Sequence, residues 1–293
     1  MFPMPLRFCV LGSGSSGNAS FLETEGFGLL LDIGLGPRRL AKGLADAGAT
    51  WDQIRAALLT HTHGDHWTDN TIKHLLQRRI TLHCHHRQVA GLRRQSGFFG
   101  LLEHAKLVKH YADAELMEIG PFHCLPFEVP HDDEPTFGFR IAGPMGALGY
   151  AADLGCWTKA IAHHLCDVDI LALEFNHDVA LERGSGRSPM LIDRVLGDYG
   201  HLSNEQAAEL VAHILRHTEP GRTRHLVLLH LSRQCNHPRL AHAAAAEAIA
   251  KHGRGINIHV AHQNAASPVL TTGRKPGSRR RALAGQPLLP GWE

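Results

Sequence analysis

A chain of 293 residues, 43% of them hydrophobic, can bury a full core as one large domain or two fused half domains without cross-links. The net charge of +2 hides a basic excess in the tail, where Arg274, Lys275, Arg279, Arg280 and Arg281 stand against Glu293 alone; the body is not globally basic, so a nucleic-acid substrate would need a local positive groove. Six cysteines without a C-x-x-C pair, an opening without a basic start, and no run of membrane-spanning length argue against a disulfide scaffold, an exported protein and a transmembrane one, and point to a soluble cytoplasmic protein.

Short apolar strands separated by glycine turns are predicted at 6–11, 19–23 and 28–32. The loop Gly12-Ser13-Gly14-Ser15-Ser16-Gly17-Asn18 joins the first two. It could cradle a phosphate with backbone amides and hydroxyls, making Ser13, Ser15, Ser16 and Asn18 candidate substrate contacts, but it lacks the Gly-Lys-Ser/Thr ending of a P-loop; a tight glycine turn explains it equally well. A helix with Pro at its start follows at 37–47, then a strand at 54–60.

That strand runs into His61-Thr62-His63-Gly64-Asp65-His66, four metal-capable side chains in six positions. In an extended segment alternate residues point the same way, so His61 and His63 can share one ion, while the turn at Gly64 carries Asp65 and His66 toward another. Imidazoles plus a carboxylate suit zinc, manganese or iron, and a pair of divalent ions suits hydrolysis of phosphate or carbonyl substrates. The chain holds 24 histidines, so some clustering is expected by chance; placement of this spacing directly after a buried strand is not.

Beyond the motif, a helix is predicted at 68–78 and strands at 80–84 and 106–111. The second half repeats the scheme with strands at 122–129, 136–142, 147–151, 170–175, 225–229 and 255–261 and helices at 189–196, 204–217 and 238–251. Ser203 with Gln206 forms a capping box for the middle helix. Two strand-rich halves with helices outside imply an α/β (α+β) chain of paired sheets covered on both faces. Residues 1–266 make one domain, and 267–293 read as a flexible basic tail rich in Pro, Gly and Arg.

A dinuclear site needs further ligands from distant strand ends, and the chain offers His131 after the run at 125–130, Asp153 after 148–152, and His230 after 226–229. A carboxylate such as Asp153 can bridge two cations with its two oxygens, which an imidazole cannot. Arg233, close behind His230, is a candidate contact for a substrate phosphate.

With these segments together, the chain resembles the metallo-β-lactamase superfamily, and within it the YycJ/WalJ-like group of metal-dependent nucleases, related to PhnP-like phosphodiesterases. The resemblance is carried by the loop at 12–18, Leu31-Asp32-Ile33-Gly34, the hexapeptide, Pro130-His131-Asp132, Asp153-Leu154-Gly155, Glu174-Phe175-Asn176-His177-Asp178, Gly200-His201-Leu202-Ser203-Asn204 and His230-Leu231-Ser232-Arg233. It implies a four-layer αββα sandwich of two mixed sheets with the site along one sheet edge. It implies the ligands His61, His63, Asp65, His66, His131, Asp153 and His230, with Asp32 orienting one of them from behind. It also suggests a site role for His177, as a substrate contact, although a helix cap explains its neighbour Asp178 as well. Phe139 and Thr62 depart from frequent residues of the family, and neither removes a ligand.

The expected chemistry is attack on phosphorus or a carbonyl carbon by hydroxide generated between two divalent ions, zinc or manganese, with Asp65 also holding the nucleophile. Similarity to tRNA-processing members of the superfamily suggests His201, assisted by Glu174, as the proton donor to the leaving group. The leading expectation is a phosphodiesterase, with the resemblance favouring a DNA exonuclease acting from the five-prime end. The alternatives are a small-molecule hydrolase of the same fold, such as a cyclic phosphodiesterase or a thioester or lactam hydrolase, and a nonenzymatic protein that binds metal or nucleic acid.

Overall fold

The computed structural model describes residues 3–133, 135–252 and 255–273. Its first half opens as an antiparallel meander, β1 (Arg7–Gly12), β2 (Ala19–Thr24) and β3 (Phe27–Leu31). Helical crossovers then add parallel strands. α1 (Pro37–Asp46) leads to β4 (Ile54–Leu58), α2 (Asp69–Arg78) to β5 (Thr81–His85), and α3 (Val89–Gln95) with α4 (Phe99–His104) to β6 (Val108–Tyr111). The second half follows the same plan. β7 (Met117–Ile119), β8 (Phe122–Val129), β9 (Thr136–Gly143) and β10 (Gly146–Ala151) are antiparallel. α5 (Lys159–His164) crosses to β11 (Ile170–Glu174); α6 (Val179–Arg183), α7 (Pro189–Leu196) and α8 (Asn204–Arg216) cross to β12 (His225–Leu229); and α9 (Pro238–Ala250) crosses to β13 (Asn257–Val260). β14 (Leu270–Thr271) returns to the first sheet beside β1, so two sheets of seven strands result.

Alternation along the strands builds the layers. Leu29 and Leu31 of β3 face Phe139, Leu148, Ile170 and Val227 of the other sheet, while Leu30 between them joins Leu40, Leu44, Ile72 and Leu75 under the outer helices. In β11 and β12 the outward set is Leu171, Leu173, Leu226 and Leu228, packed with Leu210, Val211, Ile214 and Ala245. Each such side chain contributes roughly 1.5–3 kcal/mol on burial, so a single-residue register slip in either sheet would forfeit several of them. The expected αββα sandwich is formed. No helix among the described residues is long and apolar enough to cross a membrane, and all six cysteines are free thiols.

The first residues read as tail lie against the first sheet. Ser267 donates its N–H to Val10 O, Leu270 pairs with Phe8, and Thr272 Oγ1 accepts from Leu6 N at 2.9 Å, so the first residues assigned to the tail complete the first sheet. The basic cluster itself falls at 274–293, outside the described residues.

The two parallel blocks place their carboxyl ends on one edge of the sandwich, where open α/β sheets collect functional groups. Asp32 follows β3, the His61–His66 segment follows β4, His131 follows β8, Asp153 follows β10, Glu174 ends β11 and His230 follows β12.

Candidate metal centre

The loop 61–66 is held by its backbone from two sides. Asn18 N–H donates to Asp65 O at 2.7 Å and Ile33 N–H to His66 O at 2.8 Å. Gly34 allows this approach: a Cβ there would stand 1.7 Å from Asp65 O. Asp32, fully buried, accepts from Thr60 N at 2.9 Å and Thr60 Oγ1 at 3.0 Å, and its Oδ2 takes the Nδ1–H of His66 at 2.8 Å. That bond fixes the His66 ring with Nε2 toward the centre. Because the Thr60 hydroxyl donates to Asp32, its oxygen accepts from His61 Nδ1 at 3.0 Å, and His61 Nε2 is left buried without a hydrogen bond. His131 is oriented likewise, donating Nδ1–H to Gly200 O at 2.8 Å.

The seven expected ligands come together as two donor sets meeting at Asp153. Nitrogens of His61, His63 and His131 lie within 4.8 Å of one another, as do atoms of Asp65, His66 and His230, and those of His61, His66 and Asp153. Asp153 Oδ2 is 2.7 Å from His66 Nε2 and Oδ1 is 2.8 Å from His230 Nδ1, yet both oxygens are buried without a hydrogen bond. Orphaned carboxylate and imidazole atoms converging in a buried space fit divalent cations, since uncompensated burial of such groups costs several kcal/mol. The donor types, nitrogen and carboxylate oxygen without sulfur, suit zinc or manganese.

Electrostatics express the same demand for positive charge. Burial opposes the charged form of His66, but Asp32 and Asp153 outweigh it and raise its pKa well above the usual value; Asp153, together with Asp65 and Glu174 accepting from the ring, does the same for His230. His61, desolvated and beside His66, stays neutral far below its usual pKa. Against the cost of burial, His230 and His66 lower Asp65 to about 2.

Beside Asp153, His201 Nδ1 is 2.7 Å from Glu174 Oε1, and the His201 side chain is 18% exposed. Glu174 is buried, its Oε2 accepting from Leu154 N at 2.9 Å and Leu202 N at 3.1 Å. Burial disfavours the imidazolium of His201, but Glu174 more than offsets it, so the pKa is raised. A groove of about 490 Å³, lined by His131, Asp132, Arg87, Glu128 and Tyr199 among others, opens next to this cluster.

The expected substrate contacts are dispersed. Ser13 is buried, its Oγ accepting from His230 N at 2.8 Å and donating to Asn18 Oδ1, and Asn18 Nδ2 donates to Asp65 Oδ2 at 3.0 Å. Both brace the ligand loops rather than face a substrate. Ser15 and Ser16 are exposed at the loop tip, and Arg233 is exposed beyond His230. His177 is completely buried with neither ring nitrogen hydrogen-bonded, which takes it out of the groove; Asp178 caps α6, accepting from Leu181 N at 2.9 Å. Two functional side chains escaped sequence reasoning. Asn176 donates to His230 O at 2.8 Å, and Asp132 stands 3.5 Å from His63 Nε2 while the Arg194 guanidinium grips it with two prongs. Their place in the segments 130–132 and 174–178 was the only signal.

A sequence profile described as the beta-lactamase superfamily domain matches residues 29–231, which hold all seven ligand candidates. The chain belongs to this superfamily. Among superfamily relatives, exodeoxyribonuclease WalJ of Streptococcus pneumoniae is 28% identical over 261 residues, 88% of this chain and 93% of the relative. The metallo-beta-lactamase fold protein YhfI of Bacillus subtilis superposes with a TM-score of 0.65 at 16% identity, covering 89% of this chain and 98% of that one. A diphosphatase of the PhnP family gives 0.62 at 16% identity over 92% and 99%. The chain is thus a hydrolase of the metallo-β-lactamase fold.

Proposed function

We propose that the protein is a dinuclear metal-dependent phosphodiesterase that degrades DNA from an end, with the five-prime end as its starting point. The observation that carries this reading is the pair of donor sets meeting at the two orphaned oxygens of Asp153, beside an imidazole already joined to a carboxylate. In this reading His61, His63 and His131 would hold one cation and Asp65, His66 and His230 the other, with Asp153 serving both. Two divalent cations supply charge to polarise a phosphoryl group and to make water a better nucleophile near neutral pH. Asp32 keeps His66 in its ligating orientation, and Asp65 accepts a hydrogen bond from the attacking water. Glu174 accepts from Nδ1–H of His201 and favours its charged form, so that the imidazolium can give its Nε2 proton to the departing oxygen. Similarity to a protein named as an exodeoxyribonuclease supports DNA as the substrate.

The test is digestion of end-labelled DNA, RNA and a cyclic ribose phosphate side by side, with manganese or zinc supplied. Release of nucleotides from the five-prime end of DNA is expected. Cleavage of the cyclic phosphate alone would replace this reading with a small-molecule phosphodiesterase, and binding without cleavage of any of them would mark a nonenzymatic protein. Asp153→Ala should lose occupancy of the second cation, read by metal analysis, together with cleavage; full activity in that variant would remove Asp153 from the ligand set.

A further inference from the structure

The charge that the body lacks as a whole is concentrated in one segment. Residues 70–110 hold eight Lys and Arg (Lys73, Arg78, Arg79, Arg87, Arg93, Arg94, Lys106, Lys109) against the single carboxylate Glu103. All eight are exposed. All but Lys109, which lies on the edge strand β6, sit on and around α2, α3 and α4, which cover the outside of the first sheet and turn their apolar sides, Ile72, Leu75, Leu92, Phe99 and Leu102, into its core.

This layer starts at the metal centre. α2 is capped by Thr68, two residues after His66, and a Cβ on Gly91 of α3 would lie 4.0 Å from Thr62 Oγ1 in the ligand loop. Gln88, just before α3, donates to Thr60 O at 2.9 Å. From there α2 runs away from the site edge for 10 residues, about 15 Å. Three of the cations are neutralised locally, Arg78 by Asp52, Arg87 by Asp113 and Glu128, and Arg93 by Glu103. Asp69, at the start of α2, accepts from Ser96. Lys73 lies 5.1 Å over the ring of Phe98, and Arg79, Arg94, Lys106 and Lys109 make no ion pair among the described residues.

We infer that the outer face of α2, α3 and α4 is the track for the phosphate backbone of the strand whose end sits in the metal centre. The inference rests on the exonuclease reading for the site itself. A run of about 15 Å spans two or three phosphates of an extended strand, enough for more than one of these cations to meet phosphates at once. Helices that covered the sheet only for stability would need no such imbalance, since mixed charges serve an exposed face better.

The experiment measures binding of a labelled phosphorothioate DNA strand of about 30 nucleotides by fluorescence anisotropy across a salt series, and hydrolysis of a nitrophenyl ester of thymidine 5′-phosphate. Lys73→Glu/Arg94→Glu should weaken strand binding by about tenfold or more and reduce the slope of log Kd against log salt by about 1.4, two contacts at about 0.7 each, with turnover of the small ester unchanged. Arg216→Glu/Lys251→Glu makes the same charge change on the helices over the other sheet and should weaken binding far less. Unchanged strand affinity in the first variant, or equal loss in both, would overturn the track. Wild-type protein that binds the strand through this face yet cuts only the small ester would overturn the exonuclease reading while supporting the track.

Discussion

Gly34 offers a direct test of how the fold positions the ligand loop. An alanine methyl there would lie 1.7 Å from Asp65 O, 2.4 Å from its carbon and 2.9 Å from Asn18 N, where ordinary contact begins at 3.4 Å. All three atoms are backbone, so no side chain can swing aside. Relief requires the Asp65 carbonyl to retreat by more than about 1.5 Å, which breaks the 2.7 Å bond it accepts from Asn18 N–H. Overpacking of about 1–3 kcal/mol together with an unsatisfied buried donor of similar cost places Gly34→Ala about 3–5 kcal/mol below the wild type. At roughly 2–4 °C per kcal/mol for a domain of this size, Tm should drop by about 10 °C. If the loop yields instead of the whole fold, Asp65 and His66 move with it, and a displacement near 1 Å costs about a hundredfold in turnover. Differential scanning calorimetry, metal titration and kcat on a phosphodiester separate the two outcomes. Gly36→Ala is the control, because a Cβ at 36 meets nothing within 4 Å and φ is −64°. A Gly34→Ala protein with wild-type Tm, two bound cations and full kcat would refute the argument that this glycine exists to admit the metal loop.

His201→Ala should keep both cations and lose about 10²–10⁴ in kcat, measured by single-turnover cleavage alongside metal analysis; loss of a cation would make His201 a ligand rather than a proton donor. Asp32→Asn weakens the grip on His66 Nδ1 and should reduce affinity at one of the two cation positions by about 10–100-fold in competition with a chelator, with affinity equal to wild type counting against an orienting role. Burial of His83 on the inner face of β5, with Lys109 nearby, presses its pKa from 6.5 to about 4. The unfolded chain therefore takes up a proton that the fold refuses, so stability is lost as pH falls from about 6.5 to 4, by up to about 3 kcal/mol. His83→Leu should flatten this part of the urea-denaturation profile, and an unchanged profile would show that the ring titrates freely in the fold.

The parts of the molecule visible in the sequence were those in which one local rule acts alone. Strands such as Phe27–Leu31 and Ile170–Glu174 declare themselves by apolar runs, and α8 by its Ser203–Gln206 capping box, which forms. The His61–His66 segment and the three distant ligands were legible because metal-capable residues stood at strand exits. The short elements α3, α4, α5 and α6, of 5–7 residues, carry too few turns for a helical period to emerge, and β14, with two residues, is ordered only by its pairing with β1. Side-chain roles were harder still. Ser13 and Asn18 look like phosphate contacts in a Gly/Ser loop, but which way a hydroxyl or amide turns is decided by His230 and Asp65, 217 and 47 residues away.

Backbone conformation explains why Asp and His stand at three of the sharpest turns. Asp32, Asp132 and His230 all have φ in the left-handed region, at 59°, 43° and 54°. For residues other than glycine such a conformation costs on the order of 1–3 kcal/mol and persists only where surrounding bonds over-determine it. Each of the three is held in that way: Asp32 by Thr60 and His66, Asp132 by Arg194, and His230 by Ser13 and Asn176. The turn serves the chemistry, because a chain leaving β3 or β12 in extended form would carry the next side chain along the strand, whereas the reversal keeps these residues at the edge where the centre lies. Asp and His are among the few side chains that tolerate this region with less strain, so the backbone requirement and the donor requirement select the same residues. A glycine would satisfy only the first, and a β-branched residue neither.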